Sequence, residues 1–428
     1  MILSAFNSIN IDKSKINEVN VPINKNNTDK LKEMPAELNE FFSVIPKAEL
    51  HAHLAGSYPL DFVRNQLKIK GMPEADVFKA TYTKEKYDNL TDFVNVYTNL
   101  SKSVKTAEEL KAVTYSICMN AAKENVKYIE LKISSQELNP EKLKETDARL
   151  KAKDTMYHAI NDGIEQAKNE LQKTGFHQVV KLMVTTERHE SPETSMEDAK
   201  LAVKWSKEPN SSVVALDLAG DELNHSIDKH SETLKYAKEN GLHLTIHAGE
   251  TPHSEDLTPT QSMMRAIAYG TERIGHGLAL FNDKNLIQQV KDKNIVIENC
   301  PSSNVATGVT TWDQKHLKRM IDENIKVAVC TDDQSMFNTD LSEEFRRLYE
   351  HGIITTLQDI KTLVKNGINA AFLPPQEKKE MEAEFDSELK AIEANPKFKT
   401  VIDKYLTDKV NLFTGILEKH KPAATREK

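Results

Sequence analysis

From Glu37 onward the chain repeats one pattern. A short run of β-branched and other apolar residues precedes a longer stretch with apolar residues at helical spacing. The short runs are Ala48–His53, Val126–Ile133, Val179–Thr185, Val213–Ala219, His243–His247, Arg273–His276, Ile295–Asn299 and Val327–Thr331. Amphipathic stretches such as Ala107–Glu124, Asp154–Lys173 and Asp283–Asp292 lie between them. Strands alternating with helices imply a parallel sheet. Eight such units predict a closed (β/α)8 barrel, an α/β fold, over an open doubly wound sheet.

The two ends break the pattern. Residues 1–36 are rich in Asn and Lys without an apolar period, which predicts a flexible N-terminal arm. The barrel is expected over 37–385, with a C-terminal helical extension over 386–428. Pro374-Pro375 interrupts a helical region, and the charged chain after it predicts one or two helices outside the barrel and a frayed end at 421–428.

Composition narrows the class. The net charge is −8 and 29% of residues are charged. That balance disfavours a nucleic-acid binder, whose phosphate affinity comes from clustered Lys and Arg. No run approaches the ~18 apolar residues of a membrane helix, and the start of the chain has no basic n-region of a signal peptide. Cys118, Cys300 and Cys330 are too few and too scattered for a disulfide framework. The expectation is a soluble cytoplasmic protein that acts on a small molecule.

The polar residues fall at the ends of the apolar runs. His51 and His53 are two apart at the end of the first, so a strand puts both on one face. His247 ends the fifth, followed by Ala248-Gly249-Glu250. His276 ends the sixth, within Gly275-His276-Gly277. Cys300-Pro301-Ser302-Ser303-Asn304 follows the seventh, and Thr331-Asp332-Asp333 ends the eighth. The C-terminal ends of barrel strands are where such enzymes keep their active sites. A lone histidine on a strand is usually a hydrogen-bonded core residue, and Asp-Asp is usually a turn. All of them at one barrel mouth point to chemistry.

Imidazole and carboxylate donors suit a borderline ion such as zinc. His51, His53, His247 and Asp332 would give three nitrogens and one oxygen, one more than the usual catalytic set. Such an ion brings the pKa of water toward ~7. His276 is then placed as base and Glu250 as general acid. There is no His-Glu-X-X-His motif, no Gly-X-Ser-X-Gly elbow and no complete dinucleotide loop. No Pro-Cys-X-X-Cys follows a His-X-Glu, which excludes the cytidine-deaminase type of site. No lysine ends the fourth run to carry a bridging carbamate, so one metal is expected rather than two.

Taken together, Pro46-Lys47-Ala48-Glu49-Leu50-His51-Ala52-His53-Leu54, Asp217-Leu218-Ala219-Gly220-Asp221-Glu222, His247-Ala248-Gly249-Glu250, Arg273-Ile274-Gly275-His276-Gly277, Cys300-Pro301-Ser302-Ser303-Asn304 and Thr331-Asp332-Asp333 resemble the adenosine deaminase family. The resemblance covers roughly residues 40–385. It implies one Zn2+ per chain on His51, His53, His247 and Asp332. It implies Glu250 as proton donor to purine N1, and His276 as the group that orients and deprotonates water. Asp333 would meet N7 and the Gly220 N–H would meet N3. Leu90, Phe93 and Tyr97 resemble the helical gate over the base, although that spacing also fits ordinary helix packing. The implied activity is hydrolytic deamination of adenosine and 2′-deoxyadenosine to inosine and ammonia, in purine salvage.

Two positions depart from the family. After His53-Leu54 the adenosine enzymes carry an Asp that accepts from the 5′-hydroxyl, and here it is Ala55. Loss of that acceptor opens an alternative substrate, a 5′-substituted or phosphorylated adenine nucleoside such as N6-methyl-AMP or methylthioadenosine. The other is Lys132, where the family often has Arg. A binding protein that has lost catalysis is the further alternative, and the retained Glu250 and His276 argue against it. A deaminase of a non-purine ring is disfavoured by Gly220 and Asp333.

Overall fold

A computed structural model describes residues 34–84, 86–88, 90–251 and 258–407. Eight parallel strands stand in chain order: β1 (Lys47–His53), β2 (Val126–Ser134), β3 (Val179–Glu187), β4 (Val213–Ala219), β5 (His243–Ala248), β6 (Arg273–His276), β7 (Val296–Asn299) and β8 (Val327–Val329). The seam between β8 and β1 closes just beyond β8. There the Asp332 N–H donates to His51 O, and the His53 N–H donates to Asp332 O, both at 2.8 Å. This is the (β/α)8 barrel expected from the apolar runs. Closure itself sets Asp332 beside the two histidines of β1.

The strands are read well because they are buried on both faces, as parallel strands are. β8 is shorter than its apolar run. At Thr331 the chain leaves the ladder, and its N–H and hydroxyl both bond Glu49 Oε2, at 3.1 and 2.7 Å. Asp332 then turns with φ +63°, a left-handed conformation rare outside glycine. The helix expected from Asp154 instead spans Thr146–Lys173. Its first two turns are polar, so no apolar period marks them. Glu145 caps them by accepting from the N–H groups of Asp147 and Ala148.

Below the barrel, the helix Ala36–Val44 packs Phe41 and Phe42 against Phe398 and Tyr349. The buried Lys47 ammonium donates to the last carbonyls of that helix, Phe42 O at 2.7 Å and Ser43 O at 3.2 Å, and to Ile45 O at 2.9 Å. After Pro374 two helices, Pro375–Ala394 and Pro396–Tyr405, bury Phe385, Leu389 and Phe398. The first of them runs without a break through residue 385. Glu384 and Glu388 pair with Lys127, at the base of β2, at 2.7 and 2.6 Å. The arm up to residue 33 and the end expected to fray at 421–428 lie outside the described residues. No helix among the described residues is long and apolar enough to cross a membrane. The three cysteines are buried and unpaired.

Candidate active site

The C-terminal ends of the strands bring four imidazoles and a carboxylate to one point. His51 Nε2 and His53 Nε2 each lie 3.3 Å from Asp332 Oδ1. His53 Nε2 lies 3.2 Å from His247 Nε2. Donor atoms of His51, His247, His276 and Asp332 all fall within 4.8 Å of one another. The tightest quartet thus contains His276 where the sequence places His53, and His53 joins from the more open rim. All five groups expected at the metal or beside it are together.

Three of the four imidazoles are fixed from behind. His51 Nδ1 meets Glu298 Oε2 at 2.7 Å, His247 Nδ1 meets Asp217 Oδ1 at 3.1 Å, and His276 Nδ1 meets Asn304 Oδ1 at 2.8 Å. A carboxylate or carbonyl at Nδ1 fixes the tautomer with its proton there and leaves Nε2 as a lone pair. His51 Nε2 is buried and lacks a hydrogen-bond partner. An orphaned acceptor among imidazoles and a carboxylate suits a metal ion. Asp332 Oδ2 accepts from Ser303 at 2.7 Å, which leaves Oδ1 for the cluster.

Under the cluster the barrel interior is polar. Lys132 Nζ stands 3.1 Å from Asp217 Oδ2, and Arg273 Nε stands 2.6 Å from Glu298 Oε1. Arg273 also pairs with Glu130. Burial would raise the carboxyl of Asp217, but His247 and Lys132 hold it well below the usual range. Lys132, Arg273 and His51 likewise hold Glu298 down against its burial.

Glu250 projects from the loop after β5, with Oε1 3.8 Å from His276 Nε2. The N–H groups of Gly249 and Glu250 both donate to the Glu222 carboxylate, at 2.8 and 3.0 Å. Burial raises the Glu250 carboxyl above the usual carboxylate range, which favours a protonated acid. Burial raises Asp333 as well, with help from Asp332 and Glu250, and its Oδ1 has no hydrogen-bond partner.

Two glycines leave room for these groups. A Cβ on Gly56 would overlap the Asp333 carboxylate, and one on Gly275 would come within 2.9 Å of His51 Cε1. Gly275→Ala is therefore expected to displace His51, cost about 1–3 kcal/mol of stability and weaken metal binding. Chelator competition beside a urea melt checks both, and unchanged metal affinity would contradict the account. Gly220 turns with φ +91° directly after β4. Phe93 lies on the helix Leu90–Ser101, stacked on Phe337 at 5.6 Å between centroids and edge-on to Tyr87 at 5.2 Å. Tyr97 stands beside Phe93 on the same helix, and the Leu90 side chain lies outside the described residues.

The sequence reading gave no role to Asp217, Glu222, Glu298, Ser303 or Asn304. Four of them lie inside the motifs that carried the resemblance. Glu298 has no such marker, being an acid inside an apolar strand.

A family model for adenosine deaminase matches residues 46–388. The chain belongs to the adenosine deaminase family. It is thus a hydrolase acting on the C–N bond of a cyclic amidine, in a family that depends on a metal. The enzyme is 30% identical to the adenosine deaminase of Clostridium kluyveri over 84% of its own length and 99% of that protein's. Among solved structures it resembles the Arabidopsis N6-mAMP deaminase MAPDA, with 25% identity, 81% and 99% coverage and a TM-score of 0.69. Arabidopsis ADAL complexed with GMP gives 26%, 81%, 98% and 0.68.

Proposed function

We propose that the enzyme deaminates adenosine and 2′-deoxyadenosine hydrolytically, giving the 6-oxo nucleoside and ammonia, with one zinc ion per chain. The observation that carries this is a half-buried acid, Glu250, and a buried histidine, His276, whose Nε2 faces it at 3.8 Å, both beside a cluster of metal-donor side chains. His51, His53, His247 and Asp332 would hold the ion. When bound, zinc acidifies water and supplies hydroxide near neutral pH.

The chain's residues do the rest. Glu250 gives its proton to purine N1, which makes C6 electrophilic. His276 Nε2 takes the proton of the attacking water, because its Nδ1 is committed to Asn304. The Asp333 carboxyl, kept protonated by burial, donates to N7 from its unpartnered side. The Gly220 N–H meets N3. The hydroxyl of the water bonds to C6, and His276 passes the proton it took to the 6-amino group. The C6–N bond breaks as ammonia leaves, and the C6 hydroxyl proton returns to Glu250 as the 6-oxo group forms. Phe93, on the helix over the barrel mouth, covers the base and excludes bulk water.

A second reading is deamination of a nucleotide such as N6-methyl-AMP. Ala55 and the likeness to MAPDA favour it. Glu137 weighs against it. This buried carboxylate lies against Ala55, accepting its N–H at 3.2 Å, and also accepts the N–H and hydroxyl of Ser134, both at 2.8 Å. Burial raises the Glu137 carboxyl, against the donors of Ser134 and Ala55 that favour its ionised form. A 5′-phosphate there would have to meet that ionised carboxylate at a cost of several kcal/mol or force it to stay protonated. The test is kcat/KM for adenosine, 2′-deoxyadenosine, AMP, N6-methyl-AMP and 5′-methylthioadenosine. Adenosine is expected to exceed either nucleotide by about 100-fold or more, the like-charge penalty expressed as a rate. A nucleotide that matches or beats adenosine overturns the reading.

A further inference from the structure

The geometry points to Lys132 as a positioning residue for the metal ligands, the one cation among the described residues that joins the carboxylates behind His247 and His51. The Lys132 side chain is fully buried inside the barrel. Its Nζ lies 3.1 Å from Asp217 Oδ2 and 3.6 Å from Glu298 Oε2. Asp217 Oδ1 meets His247 Nδ1, and Glu298 Oε2 meets His51 Nδ1. One ammonium therefore reaches two histidines through two carboxylates. The strand register supports this placement, since Lys132 on β2 pairs with His53 on β1, and its carbonyl accepts the N–H of Leu54 at 2.9 Å.

The two arms are unequal. Glu298 has a second cation, Arg273 Nε at 2.6 Å, and also accepts from Thr245 at 2.9 Å. Asp217 meets no ion-pair partner besides Lys132 and His247 among the described residues, and its other neighbour is the Thr185 hydroxyl at 3.2 Å. Without Lys132, Asp217 and Glu298 would both be buried carboxylates with the ammonium they share removed, and buried like charges repel strongly. Asp217 would turn from His247, and His247 would lose the contact that aims Nε2 at the metal. His51 would keep its aim, because Arg273 still holds Glu298.

Lys132→Met keeps the volume and removes the charge. Zinc affinity is measured by competition with a chromophoric chelator, and histidine tautomers by ¹⁵N chemical shifts. Lys132→Met is expected to weaken zinc binding by about 10–100-fold, the usual effect of losing a group behind a ligand. His247 should show a mixed tautomer and His51 an unchanged one. A merely structural loss would disturb both alike. Lys132→Arg retains the charge and should bind zinc more tightly than Lys132→Met. In a cycle with Asp217→Asn the two losses should not add, because both remove the same contact. Wild-type affinity in Lys132→Met, equal disturbance of His51 and His247, or additive losses would each overturn the inference. If Lys132→Met does not fold, Lys132→Gln takes its place in the same comparisons. The inference rests on the metal reading. A wild-type chain that binds no zinc ends that reading, whereas zinc binding indifferent to residue 132 ends this inference alone.

Discussion

Glu250→Gln is expected to lower kcat/KM for adenosine by about 10²–10⁴-fold, the usual contribution of a positioned general acid, while the metal stays bound. The amide has the shape of the acid and can still donate a hydrogen bond, but it cannot give up a proton to N1. The loop that carries residue 250 should not move, since Glu222 holds it through the N–H groups of Gly249, Glu250 and Thr251. Nor should the ligands move, because among the described residues the Glu250 carboxylate makes no hydrogen bond to them and stands 3.8 Å from His276. Zinc content and kcat/KM measured on one preparation separate the two effects. The pH profile adds a sign. Burial raises Glu250 above the usual carboxylate range, and the acid works only when protonated. Wild-type activity should therefore fall as pH rises through that raised pKa, and this alkaline limb should vanish in Glu250→Gln. A variant within tenfold of wild type would remove Glu250 from the mechanism.

The fold was legible because parallel strands buried on both faces are continuous apolar runs, and an imidazole at the end of such a run stands out. His51, His53, His247 and His276 are visible for that reason. What holds them was harder to read. Glu298 serves His51 from 247 positions away. Lys132 reaches Asp217 and Glu298 only because eight strands close into a ring. An acid within an apolar strand gives no sign of its partner until the register is known. Ser303 and Asn304 lie in Cys300-Pro301-Ser302-Ser303-Asn304, yet their roles depend on Pro301–Ala306 being a helix that turns them back to Asp332 and His276. The two turns at Thr146–Lys153 show little apolar period because a cap and the ion pairs of Arg149 and Lys153 with Glu197 and Asp198 hold them, partners that only the fold reveals.

His247→Ala should cost the enzyme its metal and its activity together. His247 is buried in the cluster, with Nδ1 held by Asp217 and Nε2 3.2 Å from His53 Nε2. Removing this ring takes one of the donors from the ion. Wild-type enzyme stripped by a strong chelator should behave the same way and recover when zinc is added back. Magnesium should not restore it, because a site rich in imidazole is a poor match for an ion that prefers oxygen. Stability gives a reading independent of catalysis. Free zinc at a hundred times Kd should stabilise wild-type protein by about 2.7 kcal/mol, and His247→Ala should show little of that gain. The crowding explains the direction. His51 Nε2 and His53 Nε2 both crowd Asp332 Oδ1 at 3.3 Å, and a metal would bind these gathered donors in the folded state alone. A chelated enzyme of full activity, or a His247→Ala variant stabilised by zinc as strongly as wild type, would show that the cluster is not the metal site.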